Sequence, residues 1–582
     1  MLAAVFPAAG EGSREINADD NSARSFLRAF FDGGQGMYYQ PFYVYMKADE
    51  KMYIGTSVYE RESYEISVTN PSGTVTTYNV TQTGNGHIQT RAQELAGPKP
   101  LNNTGYAPVT YTADSEGIYT VRFYGNDNAT SDFAQIYNFE EWNSSPKTWN
   151  IAAWDITVVS ANGAKFDGRV FMSEISLMSM TTPSLTYTVS PSAYILTENG
   201  YLYKMTSNGA HPVSYSLYSS NMGVTVNNHS AYTSCNNGSP GYSTFYRTDF
   251  VRQSNGAIEN RMFYNKPDSA LLTYLGLPAN GTPIIPEISN LKFTGTSNSI
   301  NSMYANESGT FTFDSTTNGE KYILTLNFGS DNEVKKYGVT SAINSIFWNG
   351  KDANGNHIQT GDFTAKLELL PGETHIIISD FETISNGIVI QRLNGSSSDR
   401  YKVFYNHTPQ LVDGYKNFMD TYCGNTETNC VGGYNLVDYV SQGGWIVDGD
   451  NPTIRYVTTP LDGTAGIDSS SGVSKTANQW SNAKYLDFWT YDDSILPLNI
   501  NIKVISDEKI NILVNKLWED DSNRDGVRPS NISVKLLQNG IELDIATITG
   551  SSSNTWTYTF RNLPKYDTDG ELFRYNIEEV VE

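Results

Sequence analysis

The sequence predicts an all-β fold, in which tandem β-sandwich domains follow one another in an elongated multidomain chain. Short runs of alternating apolar and polar residues recur between clusters of Gly, Asn, Pro and Asp, and this pattern is typical of strands joined by turns. No long segment has the 3.6-residue periodicity of a helix. At 582 residues the chain is too long for one core, and domain-size priors suggest roughly three to five domains.

The composition fits a β-rich protein that works outside the cell. Apolar residues make up 39% and charged residues 17% of the chain, so its surface must consist mostly of Ser, Thr, Asn, Gly and Tyr. The 39 Tyr residues favour strands and tolerate half-buried positions. A formal net charge of −23 excludes nucleic acid as a partner, because phosphate recognition needs a basic field. Solubility alone accounts for the acidity.

Residues 1–35 form an N-terminal segment whose first nine residues resemble the tail of a signal peptide. They combine a short apolar run with small residues at Ala8 and Ala9, but lack a basic n-region, so we expect the true start upstream. An ordinary frayed terminus is the alternative. The run Ser25–Phe31 is mildly helical in pattern. No run is apolar for long enough to span a membrane.

Two β domains are expected next, over residues 36–182 and 183–286. In the first, Trp154–Val159 followed by Asn162-Gly163 predicts a strand that enters a hairpin. In the second, Asn-Gly turns recur, and Pro278–Pro283 predicts a linker. The other strand-like runs of the first domain are Phe42–Met46, Tyr64–Val68 and Tyr119–Tyr124.

Residues 287–408 are predicted to be an immunoglobulin-like β domain. The run Trp348–Asn356, followed by Gly361-Asp362-Phe363, resembles a turn of FlgD-type immunoglobulin-like domains over about fifteen residues. Oxygen atoms of Asp352, Asn354 and Asn356 could bind Ca²⁺. The residues themselves favour a turn held by Asx hydrogen bonds.

Residues 409–505 are assigned to a fourth β-rich domain, which contains Cys423 and Cys430. These two cysteines are close enough in sequence to form a disulfide within one loop, and Cys235 would remain unpaired. A bridge fits an oxidising exterior, whereas reduced and inert cysteines are equally compatible with the sequence.

The last predicted domain, residues 506–582, contains two oppositely charged residues at inward-facing strand positions. Lys516 alternates with Ile512, Val514 and Trp518 on one face of a strand, and Glu579 shares a face with Tyr575 and Ile577. Buried charges are costly, so such groups form pairs, change their pKa or react.

Two chemical outcomes are open for this pair. Burial favours the neutral amine and the protonated acid, and together these can form an amide cross-link with an Asn or Asp side chain while Glu579 moves the proton. The alternative is an ion pair, or a lysine that extends to solvent. Strand periodicity alone favours this alternative.

Several ordered motifs in this region resemble the Cna protein B-type domain. They are Asn515–Asp520, Asn523–Pro529, Ile532–Gly540, Trp556–Tyr566 and Tyr575–Glu579. This family forms small β-sandwiches in the stalks of Gram-positive adhesins and pilins. The resemblance extends over about seventy residues, roughly an eighth of the chain.

The resemblance implies a self-formed Lys–Asn isopeptide bond. By motif position, Lys516 matches the family's lysine and Glu579 its catalytic acid, whereas the acceptor Asn is placed on a later strand. Because the sequence stops three residues after Glu579, we expect the acceptor to be absent and one sheet to lack an edge strand.

The sequence therefore predicts a secreted, cell-wall-associated adhesin or stalk protein that is not an enzyme. Its N-terminal β domains would bind a host protein or a glycan, Cna B-type modules would act as spacers, and a C-terminal region beyond this chain would anchor it to peptidoglycan. We expect no cofactor, with Ca²⁺ as the one candidate. The alternative is a modular secreted carbohydrate-active enzyme, because a glycosidase needs only two carboxylates that the fold brings together.

Overall fold

A computed structural model confirms the all-β prediction. It describes residues 10–17, 24–28, 30–32, 36–59, 64–125, 151–179, 189–207, 214–226, 229–230, 242–243, 258–329, 332–379, 388–396, 400, 403–405, 445–447, 453–454, 485–493 and 495–580. Cys235, Cys423, Cys430 and the signal-like residues 1–9 lie outside these ranges, so the predictions about them stay predictions.

Strands form most of the regular structure in the described residues, and the three helices are short. The helices are α1 (Ser13–Ile16), α2 (Arg91–Ala96) and α3 (Ser269–Tyr274). The strands up to residue 285 are β1 (Glu11–Gly12), β2 (Phe26–Leu27), β3 (Phe30–Asp32), β4 (Gly36–Tyr38), β5 (Phe42–Met46), β6 (Lys51–Thr56), β7 (Ile66–Thr69), β8 (Val75–Tyr78), β9 (Val109–Thr112), β10 (Gly117–Phe123), β11 (Trp154–Val159), β12 (Lys165–Phe166), β13 (Val170–Phe171), β14 (Glu174–Met178), β15 (Ser192–Leu196), β16 (Leu202–Ser207), β17 (Ser214–Ser220), β18 (Thr225–Val226), β19 (His229–Ser230), β20 (Tyr242–Ser243) and β21 (Arg261–Phe263). The remaining strands are β22 (Ile288–Gly295), β23 (Ser302–Tyr304), β24 (Gly309–Ser315), β25 (Lys321–Asn327), β26 (Glu333–Val339), β27 (Asn344–Trp348), β28 (Gly361–Leu369), β29 (Glu373–Ser379), β30 (Ile388–Arg392), β31 (Val403–Tyr405), β32 (Trp445–Val447), β33 (Thr453–Ile454), β34 (Tyr485–Tyr491), β35 (Leu498–Ile505), β36 (Lys509–Leu517), β37 (Asn531–Gln538), β38 (Ile541–Thr549), β39 (Thr555–Pro564) and β40 (Tyr575–Val580).

The described residues divide into two compact units. The first contains residues from 10–285 and 371–493, and the second contains residues from 286–370 and 495–580. The stretch 371–408, which the sequence places in the immunoglobulin-like domain, therefore contributes strand β29 to the first unit.

Four main sheets build the first unit. Their strand orders are β1-β11-β6-β9 with β12 on β11, β13-β5-β10-β7-β8, β2-β14-β17-β29-β34-β31-β32 and β21-β15-β16-β30-β33. Smaller pairings join β19-β18-β20 and β3-β4. Strands β29 to β34, which come late in the sequence, complete two of these sheets. The first unit therefore needs residues as late as β34 to form its sheets.

In the described part of the segment Ser25–Phe31 no residue is helical, contrary to the sequence prediction. Its residues contribute to β2 and β3 instead. Phe26 and Leu27 pair with Met178 and Leu177 of β14, and both are buried. A strand position inside a sheet outweighs weak local helix propensity.

A buried carboxylate anchors the N-terminal segment of the first unit. Glu94 of α2 accepts hydrogen bonds from Arg24 and Arg91, each at 2.6 Å, and from the Ser13 hydroxyl. Burial alone would raise the pKa of Glu94, but the two guanidinium groups outweigh burial and hold it below its usual range.

Glu15 of α1 is a half-buried carboxyl group with a pKa that lies far above its usual range. The Gly12 N–H donates to its Oε2 at 2.9 Å. Burial raises the pKa of Glu15 to about 8, and the nearby carboxylate of Asp155 adds to the rise. The folded chain therefore keeps this proton at pH values where the unfolded chain loses it.

Replacing Glu15 with Gln is expected to stabilise the first unit at pH 8 more than at pH 5. The unfolded carboxyl ionises near pH 4.5 and the folded one near pH 8, so the fold loses stability as pH rises through this window. Thermal unfolding at both pH values measures the effect. Asp49→Asn, an exposed turn position with φ +68° that Asn tolerates, is the control. Equal pH slopes for Glu15→Gln and the unsubstituted protein would contradict this account.

A buried histidine links two strands of the seven-stranded sheet. His375 of β29 contacts Asp487 of β34 at 2.8 Å through Nδ1 and Glu373 at 2.7 Å through Nε2, and the His375 side chain is fully buried. Burial alone would lower the pKa of His375, but the two carboxylates outweigh burial and raise it to about 9. The imidazole is therefore a buried cation at neutral pH.

The second unit contains two β domains, each with its own core. In residues 286–370 and 495–505, a three-stranded sheet β22-β24-β27 packs on a five-stranded sheet β23-β35-β28-β25-β26. Its core centres on Trp348, which is fully buried. Residues 509–580 form the second domain from the sheets β36-β39 and β38-β37-β40. Its core residues include Val514, Val534, Leu536, Trp556 and Phe560.

Candidate functional site

The Lys516–Glu579 pair lies between the two sheets of the C-terminal domain. Strand β36 carries Lys516 opposite Trp556 of β39, and strand β40 carries Glu579 opposite Val534 of β37. The Lys516 ammonium donates to both carboxylate oxygens of Glu579, at 3.0 Å and 2.8 Å. The structure thus brings together two residues that are 63 positions apart in the sequence.

The pair lies at the rim of the core rather than inside it. The side chain of Lys516 is 27% exposed and that of Glu579 is 40% exposed. Strand alternation predicts that both side chains face inward, whereas the Glu579 side chain is only partly covered. Among the described residues, β40 pairs only with β37 and β36 only with β39, so both charges lie on edge strands that water reaches.

Aromatic rings form the floor beneath Lys516. Its Nζ lies 4.7 Å from the centre of the Trp518 ring, a cation–π contact. Trp518 in turn meets Trp556 edge to face, with ring centroids 5.1 Å apart. The amine is therefore held between a carboxylate and an apolar surface, which restricts where Nζ can move.

A buried arginine braces Trp518 from the loop between β36 and β37. Arg528 lies 5.6 Å from the centre of the Trp518 ring. It donates to both oxygens of Asp520, to Ser553 O at 3.1 Å and to Asn554 Oδ1 at 2.6 Å. The hydrogen bonds from Arg528 hold the pKa of Asp520 below its usual range. Strand periodicity gives no signal for this brace, although both residues lie in the motifs quoted above.

This geometry is suited to acyl transfer at the Lys516 amine. Glu579 is within hydrogen-bond distance of Nζ, so it can accept a proton from the ammonium and return it to a leaving group. A free amine next to the carbonyl carbon of an Asn side chain can form an amide and release ammonia. The acceptor is the one partner of this reaction that the described residues do not place at the site.

The calcium candidates Asp352, Asn354 and Asn356 form a turn after β27. Asp352 Oδ1 accepts from the backbone N–H groups of Asn354 and Asn356 at 2.9 Å and 2.8 Å. Asp352 Oδ2 accepts from the Asn332 amide at 2.9 Å, and this bond lowers the pKa of Asp352. The arrangement is an Asx turn, and calcium binding here stays a prediction.

Two absences hold for the part of the protein that the structure describes. No group of three or more His, Cys, Asp or Glu residues is placed there to hold a metal ion. Within the same ranges, no helix combines the length and the apolar character that a membrane crossing requires.

Comparison with known proteins places the C-terminal domain in a family. Residues 512–582 match the model of the Cna protein B-type domain. A collagen adhesin of Staphylococcus aureus is 40% identical over 72 residues, which make up 12% of this chain and 6% of the adhesin. The chain therefore spans only a small part of that relative's length.

Two solved structures from the same organism are also similar. A single B repeat unit (B1) of the S. aureus collagen binding surface protein (Cna) shares 38% identity over 12% of this chain and 37% of its own, with a TM-score of 0.12. Two B repeat units (B1B2) share 14% identity over 45% of this chain and 62% of their own, with a TM-score of 0.15.

Two packed sheets bridged by a lysine–glutamate pair define a small β-sandwich module. Residues 512–582 are a Cna protein B-type domain. The match extends over about an eighth of the chain. It therefore identifies this domain and does not extend to the residues that precede it.

Proposed function

We propose that the chain is part of an extracellular, cell-wall-associated adhesin of a Gram-positive bacterium. The Cna B-type domain and its 40% identity to a collagen adhesin carry this proposal. The C-terminal domain acts as a spacer, and the β domains of the first unit bind a host protein or a glycan. A signal peptide upstream and peptidoglycan anchoring downstream belong to the same proposal.

The spacer role depends on the chemistry of Lys516 and Glu579. In the proposed reaction the neutral Lys516 amine attacks the Cγ carbonyl of an acceptor Asn, and Glu579 carries the proton. A Lys–Asn amide forms, the bond between Cγ and Nδ2 of the Asn breaks, and ammonia leaves. The new amide fixes strand β36 to the acceptor strand. A covalent tie of this kind resists unfolding under tension, because the two strands cannot separate.

Ligand binding without turnover is the expected behaviour of the whole protein. The test is a glycan array and a panel of extracellular matrix proteins that includes collagen, together with a hydrolysis assay on the same polysaccharides. Saturable binding that the heat-denatured protein lacks, with no release of reducing ends, supports the adhesin. Polysaccharide turnover that one Asp or Glu substitution abolishes would show a carbohydrate-active enzyme instead.

A further inference from the structure

A very short connection joins the two β domains of the second unit. Only residues 506–508 separate β35 from β36. The N–H of Ala305 donates to Ile505 O at 2.7 Å, and the N–H of Lys565 donates to Glu508 O at 3.0 Å. Both ends of the connection are thus fixed within their own domains, and Ser506 and Asp507 are the two backbone units left to act as a hinge.

A tyrosine at the end of β23 reaches across to the C-terminal domain. The Tyr304 hydroxyl donates to Tyr566 O at 2.9 Å. The Lys509 ammonium lies 5.5 Å from the centre of the same Tyr304 ring. Because β23 is hydrogen-bonded to β35, Tyr304 is held by the sheet of its own domain while it contacts the other.

A preformed turn of the C-terminal domain meets β35. Asp567 Oδ1 accepts from the N–H groups of Asp569 at 3.0 Å and Glu571 at 2.8 Å, which fixes the turn 567–570. The Lys503 ammonium donates to Asp569 O. At Gly570, where φ is +79°, a Cβ would lie 3.0 Å from Lys503 Nζ, so glycine permits this close approach.

A third contact ties the connection itself to the preceding domain. The Asn306 amide donates to Asp507 Oδ2 at 2.9 Å. Asn306 has φ +76°, a backbone conformation that Asn tolerates better than most residues. Asp507, one of the two hinge residues, is therefore hydrogen-bonded to the preceding domain.

We propose that Tyr304, Asn306 and Lys503 form a docking surface for residues 566–570 and for Asp507, and that this surface makes the two domains move as one body. Small polar interfaces between domains usually allow relative motion. Here only two backbone units are left as a hinge, two hydrogen bonds cross between the domains, and a third holds Asp507 of the connection. None of these residues lies at Lys516 or Glu579, so the joint between the domains does not depend on the isopeptide reaction.

Electron–electron distance measurements on the full-length protein test the proposal. Nitroxide labels are attached through p-acetylphenylalanine at the exposed positions Ser345 and Thr547, which leaves the native cysteines unchanged. The variant Tyr304→Phe/Asn306→Asp removes two hydrogen bonds, those to Tyr566 and Asp507, and places a carboxylate against Asp507. Its distance distribution is expected to widen about twofold relative to the narrow distribution of the unsubstituted protein.

The control variant is Asn290→Asp. Asn290 also has a positive φ, of 55°, and its amide donates to a carboxylate, that of Asp314, at 2.6 Å. The Asn290→Asp substitution introduces the same charge change into the same domain, away from the joint. The narrow distribution of label–label distances should therefore persist. A broad distribution in the unsubstituted protein, or an unchanged narrow one in the double variant, would overturn the proposal.

Discussion

Replacing His375 with Phe is expected to destabilise the first unit by about 3–5 kcal/mol at neutral pH, the usual effect of removing one partner of a buried charge pair. The substitution takes the cation away from Asp487, whose side chain is fully buried, and from Glu373. Phenylalanine fills much of the same volume, so the loss of folding stability arises mainly from removal of the positive charge. Denaturant unfolding followed by far-UV circular dichroism measures it.

The pH dependence of this variant provides an independent check. A pKa raised from 6.5 to about 9 means that the folded state holds a proton which the unfolded state releases. The stabilisation is complete below pH 6.5 and is lost as pH rises through 9. The unsubstituted protein should therefore lose more stability between pH 7 and pH 10 than His375→Phe. Parallel pH profiles would show that the imidazole is not a buried cation.

Replacing Trp348 with Ala is expected to destabilise the first β domain of the second unit by about 3–5 kcal/mol, as for large core aromatics in general. The ring is fully buried and its Nε1 donates to Lys351 O at 2.9 Å. It contacts the rings of Phe293, Phe311, Phe328 and Phe363. The variant removes the centre of this cluster and leaves a cavity.

The neighbouring residue gives a matched control for this substitution. Phe347 lies on the opposite face of β27 and is 62% exposed, so Phe347→Ala should change the free energy of unfolding by less than about 1 kcal/mol. Calorimetry of the full-length protein separates the two variants. Equal losses for Trp348→Ala and Phe347→Ala would contradict the assignment of the core.

Local patterning predicted individual strands where alternation and turns agreed. Phe42–Met46 and Trp154–Val159 are strands with the predicted bounds. The turn at Gly163 has the positive φ of 86° that its Asn-Gly sequence indicates, and β11 pairs with β12. These features depend on residues that are neighbours in the sequence, so they can be predicted from the sequence alone.

Pairings between distant segments could not be predicted in this way. Strand β29 pairs with β17 across more than 150 residues, with Ser379 opposite Ser216. Nothing in the local pattern of 373–379 distinguishes this partner from a strand of the domain just before it. Phe26 and Leu27 show the same limit, because their strand conformation follows from pairing with β14 and not from local helix propensity.

Only part of the candidate site could be predicted from the sequence. Period-two alternation predicts that Lys516 and Glu579 lie at inward-facing positions of two strands. The family motifs indicate that the two residues form a reactive pair. The contact of Arg528 with Trp518 depends on the loop that follows β36, and alternation contains no information about such a loop.

Intact mass measurement tests most directly the central claim that Lys516 forms an isopeptide bond with an acceptor Asn while Glu579 moves the proton. A chain extended through a following strand with the acceptor Asn should lose about 17 Da, the mass of one ammonia. Lys516→Ala should abolish this loss. Lys535→Ala should retain it, although Lys535 also pairs with a glutamate, Glu542, at 2.8 Å. An unchanged mass in the extended unsubstituted protein, or a loss that persists in Lys516→Ala, would contradict the claim.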